Sequence, residues 1–318
     1  MKHLFGSMSV LAVLCSSLSV PAFAQTEVKV VASIKPIHSL VASVMEGVGT
    51  PSLVVDGAGS PHTYSLRPST ARKIANADVV FWVGPQMESF LETPLENLAG
   101  SATVVDLKEA DGLKLLQFRE GGNFEEHAGE EDHDEHEDHD EHGDDAFDMH
   151  LWLDPQNALA MLTKIEKTLA KADPANAAKY AANAKAEATE IKALSAKLKE
   201  DLKQHQGKSF VVFHDAYRYF EEAFDLKAVG SVTISPEVLP GARRLSQVRG
   251  KLKNLGVTCV FSEAQFNPRM VEVLKEGTNV NTAELDPLGS TLEAGPQLYT
   301  QLLKGMGTAF NACLTEQS

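Results

Sequence analysis

Two successions of short apolar runs alternating with helical segments flank one long helical stretch, and this arrangement limits the fold more than any other feature of the 318-residue chain. In the first succession, strands are expected at 28–31, 53–55, 79–83 and 104–105, with helices at 36–46, 69–76 and 86–98. In the second, strands at 209–213, 228–232, 257–261 and 279–281 alternate with helices at 217–223, 242–255, 268–276 and 296–314. A strand followed by a helix rejoins its sheet in parallel, so each succession predicts a mostly parallel sheet flanked by helices. Between them, Asp154-Pro155 and Asp173-Pro174 each set a capping acid before a proline, a helix-start signal. The first of these helices carries Leu159, Leu162, Ile165 and Leu169 along one side. The second keeps a stripe through Ile191, Leu194, Leu198 and Leu202 and stops near Gly207. At about 1.5 Å per residue, a helix of about 32 residues is a rod of about 48 Å, a spine between lobes rather than a layer of either. The expected fold is therefore α/β with two lobes joined by one spine helix and a cleft between them: 25–173, 174–206 and 207–318.

The first 24 residues stand apart. Lys2, the apolar run 11–14 and Val20-Pro21-Ala22-Phe23-Ala24 predict a secretory signal cleaved after Ala24. Cys15 follows Ala12-Val13-Leu14 rather than the small pair of a lipoprotein signal. No later apolar run is long enough to cross a membrane, so no membrane insertion is expected of the mature chain. Its two remaining cysteines, Cys259 and Cys313, are either paired in an oxidising compartment or buried as free thiols.

The net charge of −15 is local. Of 44 acidic residues, 15 lie in 120–148, where there is no Lys or Arg, leaving 29 acids against 29 bases elsewhere. A neutral body without a basic face excludes nucleic acid as a partner. Within that acidic stretch, His133, His136, His139 and His142 recur every third residue after His127. The composition is too polar to fold alone and suits weak, exchangeable metal binding, or a merely solvated loop with incidental histidines.

Open parallel sheets bind ligands beyond the carboxyl ends of their strands. His62 follows the second strand, His214 directly follows the apolar run 210–213, His150 lies where the acidic segment rejoins the body, and Asp286 follows the last short strand. Three neutral imidazoles and one carboxylate, or a water in its place, satisfy zinc. Taken singly, each histidine reads equally as a hydrogen-bonded loop residue. His38 and His205 lie inside or at the end of helices and read as structural. Glu263, at a strand end, reads as a ligand support or a loop support, and Trp82 and Trp152 as packing.

Several segments together make the case stronger. Gly59-Ser60-Pro61-His62-Thr63-Tyr64-Ser65-Leu66-Arg67-Pro68-Ser69 resembles the metal loop of ZnuA-type zinc-binding proteins. Ala77-Asp78-Val79-Val80-Phe81-Trp82-Val83-Gly84-Pro85, Met149-His150-Leu151-Trp152-Leu153-Asp154-Pro155, Phe213-His214-Asp215-Ala216-Tyr217 and Leu285-Asp286-Pro287-Leu288-Gly289 match in family order, as does the acidic histidine-rich insertion. The resemblance implies a periplasmic, monomeric receptor that captures Zn²⁺ in the cleft and passes it to the permease of an ABC transporter. It implies His62, His150 and His214 as ligands, Asp286 or a water as the fourth, a disulfide between Cys259 and Cys313, and the histidine tract as an auxiliary zinc collector or sensor. Some members carry a Glu before the first histidine, where this chain has Pro61.

Manganese-binding relatives typically carry a glutamate at the position of His214, so three imidazoles favour zinc, with nickel and copper open on ligand chemistry. A secreted zinc hydrolase is the competing class, since three histidines and a water also describe a catalytic site. It would ordinarily need a general base at the metal, and the chain has no H-E-x-x-H segment. A zinc store formed by the histidine tract alone is the third reading.

Overall fold

Strands buried on both faces need continuous apolar runs, and Val30–Ala32 (β1), Val79–Trp82 (β3) and Phe210–Val212 (β5) are buried at every position in the structure, a computed structural model. It describes residues 27–57, 59–119, 124, 147–233, 236, 240–266 and 269–315. The expected signal segment and His127, His133, His136, His139 and His142 lie outside the described residues.

The first half runs β1, α1 (Lys35–Val44), β2 (Ser52–Leu53), α2 (Pro68–Ala75), β3, α3 (Ser89–Leu98) and β4 (Thr103–Asp106). Its sheet is parallel with the order β2-β1-β3-β4. After α4 (Pro155–Ala172) and α5 (Ala177–Leu202), the second half runs β5, α6 (Arg218–Phe224), β6 (Ala228–Ser231), α7 (Ala242–Asn254), β7 (Cys259–Glu263), α8 (Arg269–Lys275), β8 (Asn281–Leu285) and α9 (Leu298–Leu314). This sheet is also parallel, in the matching order β6-β5-β7-β8. In each sheet the strand order reverses between the first and third strands, which opens a crevice at their carboxyl ends.

The spine is shorter as an α-helix than its sequence suggests. α5 has 26 residues and is flanked by 3₁₀ turns at Pro174–Asn176 and Lys203–His205, so its α-helical rod is about 39 Å. Two other boundaries move for identifiable reasons. α3 begins at Ser89 rather than at 86, because the Glu88 carboxylate accepts the N–H groups of Val83 (2.8 Å) and Gly84 (3.1 Å) and closes a turn first. β8 occupies Asn281–Leu285 rather than 279–281, and its polar Asn281, Thr282 and Glu284 hide an edge strand that pairs residue for residue with β7.

A continuous core of apolar side chains runs through both halves around α1, α4, α5 and α9, while the outer face of the second sheet packs separately on α7 and α8. Polar ties cross between the halves as well. Lys35 Nζ donates to the carbonyls of Ser290 and Leu292, each at 2.8 Å. Trp152 Nε1 donates to Pro287 O at 2.7 Å, and Tyr299 Oη donates to Trp152 O at 2.7 Å. A disulfide between Cys259 and Cys313 ties β7 to α9. Among the described residues no helix is long and apolar enough to cross a membrane.

Candidate metal centre

Three loops bring the site together. β5 is fully buried, and the next side chains emerge at its carboxyl end, where Ala216 N–H donates to His214 O and turns the chain. His150 stands just before the 3₁₀ turn Leu151–Leu153, whose three residues are all buried. His62 comes from the loop after β2, which is held by local bonds: His62 N–H to Ser60 Oγ and Tyr64 Oη to Val54 O.

Residues separated by as many as 152 positions thus converge. The ring centroids of His62, His150 and His214 lie 5.5 Å (62 to 150), 6.1 Å (62 to 214) and 5.4 Å (150 to 214) apart. One nitrogen from each lies within 4.8 Å of the other two. A tetrahedral zinc with Zn–N of about 2.0–2.1 Å needs its nitrogens about 3.4 Å apart, so a modest inward rotation of the rings is enough to close on the ion. His150 and His214 are buried and His62 is partly exposed, which leaves the His62 side as the open approach.

Two carboxylates orient the buried rings. Asp148 Oδ1 lies 2.7 Å from His150 Nδ1 and also accepts the His150 N–H at 3.0 Å. Glu263, at the end of β7, places Oε1 2.6 Å from His214 Nδ1. When ionised, each carboxylate can only accept, so the Nδ1 it faces carries the proton and the Nε2 is left with its lone pair. His214 Nε2 is buried without a hydrogen-bond partner, a state with a cost that a bound cation would remove. A hydrogen-bonded carboxylate behind a ligating imidazole is the usual arrangement in zinc sites, and the donor set fits that ion.

Burial dominates the titration of these groups. It drives His150 down to about 3, with the charge of nearby His214 adding to the effect, so this imidazole is neutral. Burial likewise pushes the Asp148 carboxyl up to about 7. For His214, burial lowers the pKa, but the charge and hydrogen bond of Glu263 together with the charges of Asp215 and Asp148 outweigh it and the net shift is upward. The ring centroid of Trp152 lies 5.5 Å from that of His150 and the ring of Phe266 5.8 Å from that of His214, so both buried imidazoles have aromatic neighbours.

Asp286 is bonded within its own loop. Its Oδ2 accepts from Ser290 Oγ at 2.9 Å and Thr291 N–H at 3.2 Å, and Oδ1 from Leu288 N–H at 3.3 Å. Among the described residues, the group whose ligand atoms meet contains only the three histidines. His38 bonds Pro51 O and His205 bonds Asn311 Oδ1, both away from the centre. Asp148 was hidden in sequence because it reads as the last acid of the charged stretch. It is in fact buried, and the signal that separates it from its neighbours is its place two residues before His150 among Phe147, Met149 and Leu151.

Residues 30–313 match the family model described as zinc-uptake complex component A, periplasmic. The chain belongs to this ZnuA family. It is 47% identical over 306 residues to the high-affinity zinc uptake system protein ZnuA of Brucella suis, covering 90% of this chain and 92% of that one. It is 38% identical over 320 residues to the ZnuA of Paracoccus denitrificans, covering 97% and 98%. In fold it resembles the periplasmic zinc-binding protein TroA from Treponema pallidum, with a TM-score of 0.76 and 18% identity, over 91% of this chain and 100% of that one. A ZnuA-family chain is thus a solute-binding receptor, and the two lobes with a spine helix between them are shared with a solved relative of that type.

Proposed function

We propose that this protein is a periplasmic receptor that captures one Zn²⁺ and delivers it, without turnover, to the permease of an ABC transporter. The observation that carries this reading is the convergence of His62, His150 and His214 with a carboxylate behind each of the two buried rings. In this reading Nε2 of His150 and of His214 bind the ion, a ring nitrogen of His62 closes over it from the open side, and water holds the fourth place while Asp286 organises its own loop. The names of the relatives support zinc as cargo, and three imidazoles favour zinc over manganese. The secretory pattern of residues 1–24 and the family model's description support the periplasm. The histidine tract is assigned an auxiliary role, collecting zinc near the cleft or sensing it.

Calorimetric zinc titration of the mature chain tests this. One tight site is expected, lost in His214→Ala and weakened in His62→Ala, and retained when residues 121–145 are deleted. Loss of all binding on that deletion would favour a store built on the tract alone, and esterase, phosphatase or peptidase turnover by the zinc-loaded protein would favour a hydrolase.

A further inference from the structure

The segment just before the acidic stretch belongs to the first half of the chain but is bonded to the His214 loop and to α6 of the second half, the helix that begins directly after that loop. Arg119 carries the strongest of these bonds. Its Nε lies 2.9 Å from Asp215 Oδ2, while Nη1 and Nη2 lie 2.8 Å from Glu221 Oε2 and Oε1, and Nη2 also reaches Asp215 Oδ1. One guanidinium therefore spans two carboxylates 96 and 102 positions away, using its planar fork in a way an ammonium cannot copy. The group is largely shielded, with side-chain exposures of 16% for Arg119, 15% for Asp215 and 3% for Glu221, so salt screens it weakly. Around it, Tyr219 Oη receives Leu116 N–H at 3.0 Å and donates to Asp148 O at 2.7 Å, Arg218 donates to Gln117 O, and Lys114 pairs with Glu222. Gln117 and Phe147 form an antiparallel bridge, which joins this stem to the strand of chain leading into His150.

The stem thus holds His150, and α6 follows His214. Both rings are buried, so separating them requires the stem and α6 to slide, and a shift of about 1 Å already weakens charge-assisted bonds near 2.8 Å. We propose that Arg119 is an interlobe latch, a positioning residue whose ion pairs with Asp215 and Glu221 set how long the captured cation is retained. This rests on the reading of the three histidines as the zinc site. Metal release then requires the latch to open, an event available to a docked permease that competes for these charges.

Release of zinc from the loaded mature chain to excess chelator, followed by stopped flow, tests the latch in wild type, Arg119→Ala, Arg119→Lys, Glu221→Gln and the Arg119→Ala/Glu221→Gln double variant. Arg119→Ala is expected to release zinc at least about tenfold faster, and Arg119→Lys to fall between it and wild type because one ammonium cannot bridge both acids. The double variant is expected to be no faster than Arg119→Ala, since the two residues act through one contact. A purely structural role would lower the melting temperature of the metal-free chain and leave release unchanged. Wild-type release rates in both Arg119 variants, or rate effects of Arg119→Ala and Glu221→Gln that multiply, would overturn the latch; if Arg119→Ala does not fold, Arg119→Lys and Glu221→Gln decide it alone. A wild-type chain that holds no zinc tightly would instead remove the capture reading and the latch with it.

Discussion

Replacing Glu263 with glutamine keeps the shape of the side chain and removes the charge 2.6 Å from His214 Nδ1, which should produce two effects of opposite appearance. The carboxylate makes the imidazole a better donor and fixes which nitrogen faces the ion, and loss of such a partner costs about 10- to 100-fold in metal affinity, or about 1.4–2.7 kcal/mol. At neutral pH, Glu263→Gln should therefore bind zinc about 10- to 100-fold more weakly. The pH dependence should move the other way. In wild type, His214 is raised above its ordinary value of 6.5 because Glu263, with the charges of Asp215 and Asp148, outweighs burial, so protons compete with zinc as pH falls through that raised value, starting above 6.5. Without the charge and hydrogen bond of Glu263, only the charges of Asp215 and Asp148 oppose burial, so the pKa falls and the decline in affinity should shift to more acid pH. His150, already held neutral by burial, contributes no step in this range. The metal-free fold supplies an independent reading. A raised histidine pKa stabilises the fold fully below the unfolded value of about 6.5, and this contribution is lost as pH rises through the folded value. The wild-type chain should lose that increment as pH rises from about 6.5 through the raised value, and Glu263→Gln should lose less of it. Competitive titration against a chromogenic chelator from pH 5.5 to 8, with thermal melts of the metal-free chain, measures both. Unchanged affinity together with an unchanged pH midpoint would refute the role assigned to Glu263.

Asp148→Asn should weaken zinc binding in the same 10- to 100-fold range and move the pH midpoint to more acid pH, because it removes a carboxyl that burial pushes up to about 7 and a charge that helps raise His214; a zinc titration at several pH values checks this. Replacing both Cys259 and Cys313 with serine opens a link spanning 54 positions and should cost about 4 kcal/mol on the chain-entropy model, read from urea unfolding of the metal-free chain. Because β7 carries Glu263 and Cys259 alike, the same variant should also show a measurable loss of zinc affinity. Glu187 lies buried on α5 with its pKa raised to about 7 by burial, with the charges of Glu190 and Glu46 adding. For an acid shifted upward, the fold loses stability as pH climbs from about 4.5 to the folded value, so Glu187→Gln should flatten the melting temperature between pH 5 and 8, and an unchanged slope would contradict the assignment.

The α/β character was legible because buried parallel strands need runs such as Phe210-Val211-Val212 and helices need caps such as Asp154-Pro155, both local properties. The same locality hides other features. The bounds of β8 come from pairing with β7, which a polar edge strand does not advertise, and the start of α3 depends on the Glu88 side chain reaching back to the strand end, which no local pattern shows. His62, His150 and His214 stand out in sequence by their places after strands or at the end of the acidic segment and by resemblance to a family, since spacing along a chain carries no information on whether loops meet.

Sequence alone thus determined the element types, the interruption by an acidic segment and the residue chemistry available for a soft divalent cation. Only tertiary structure decided that three imidazoles share one space, that Asp148 leaves the charged run to stand behind His150, and that Arg119 spans both halves. The reason is physical: periodicity and capping are read over a few residues, whereas convergence and burial depend on how two sheets and a spine helix pack, and burial is what neutralises His150 and makes one carboxylate differ from the next.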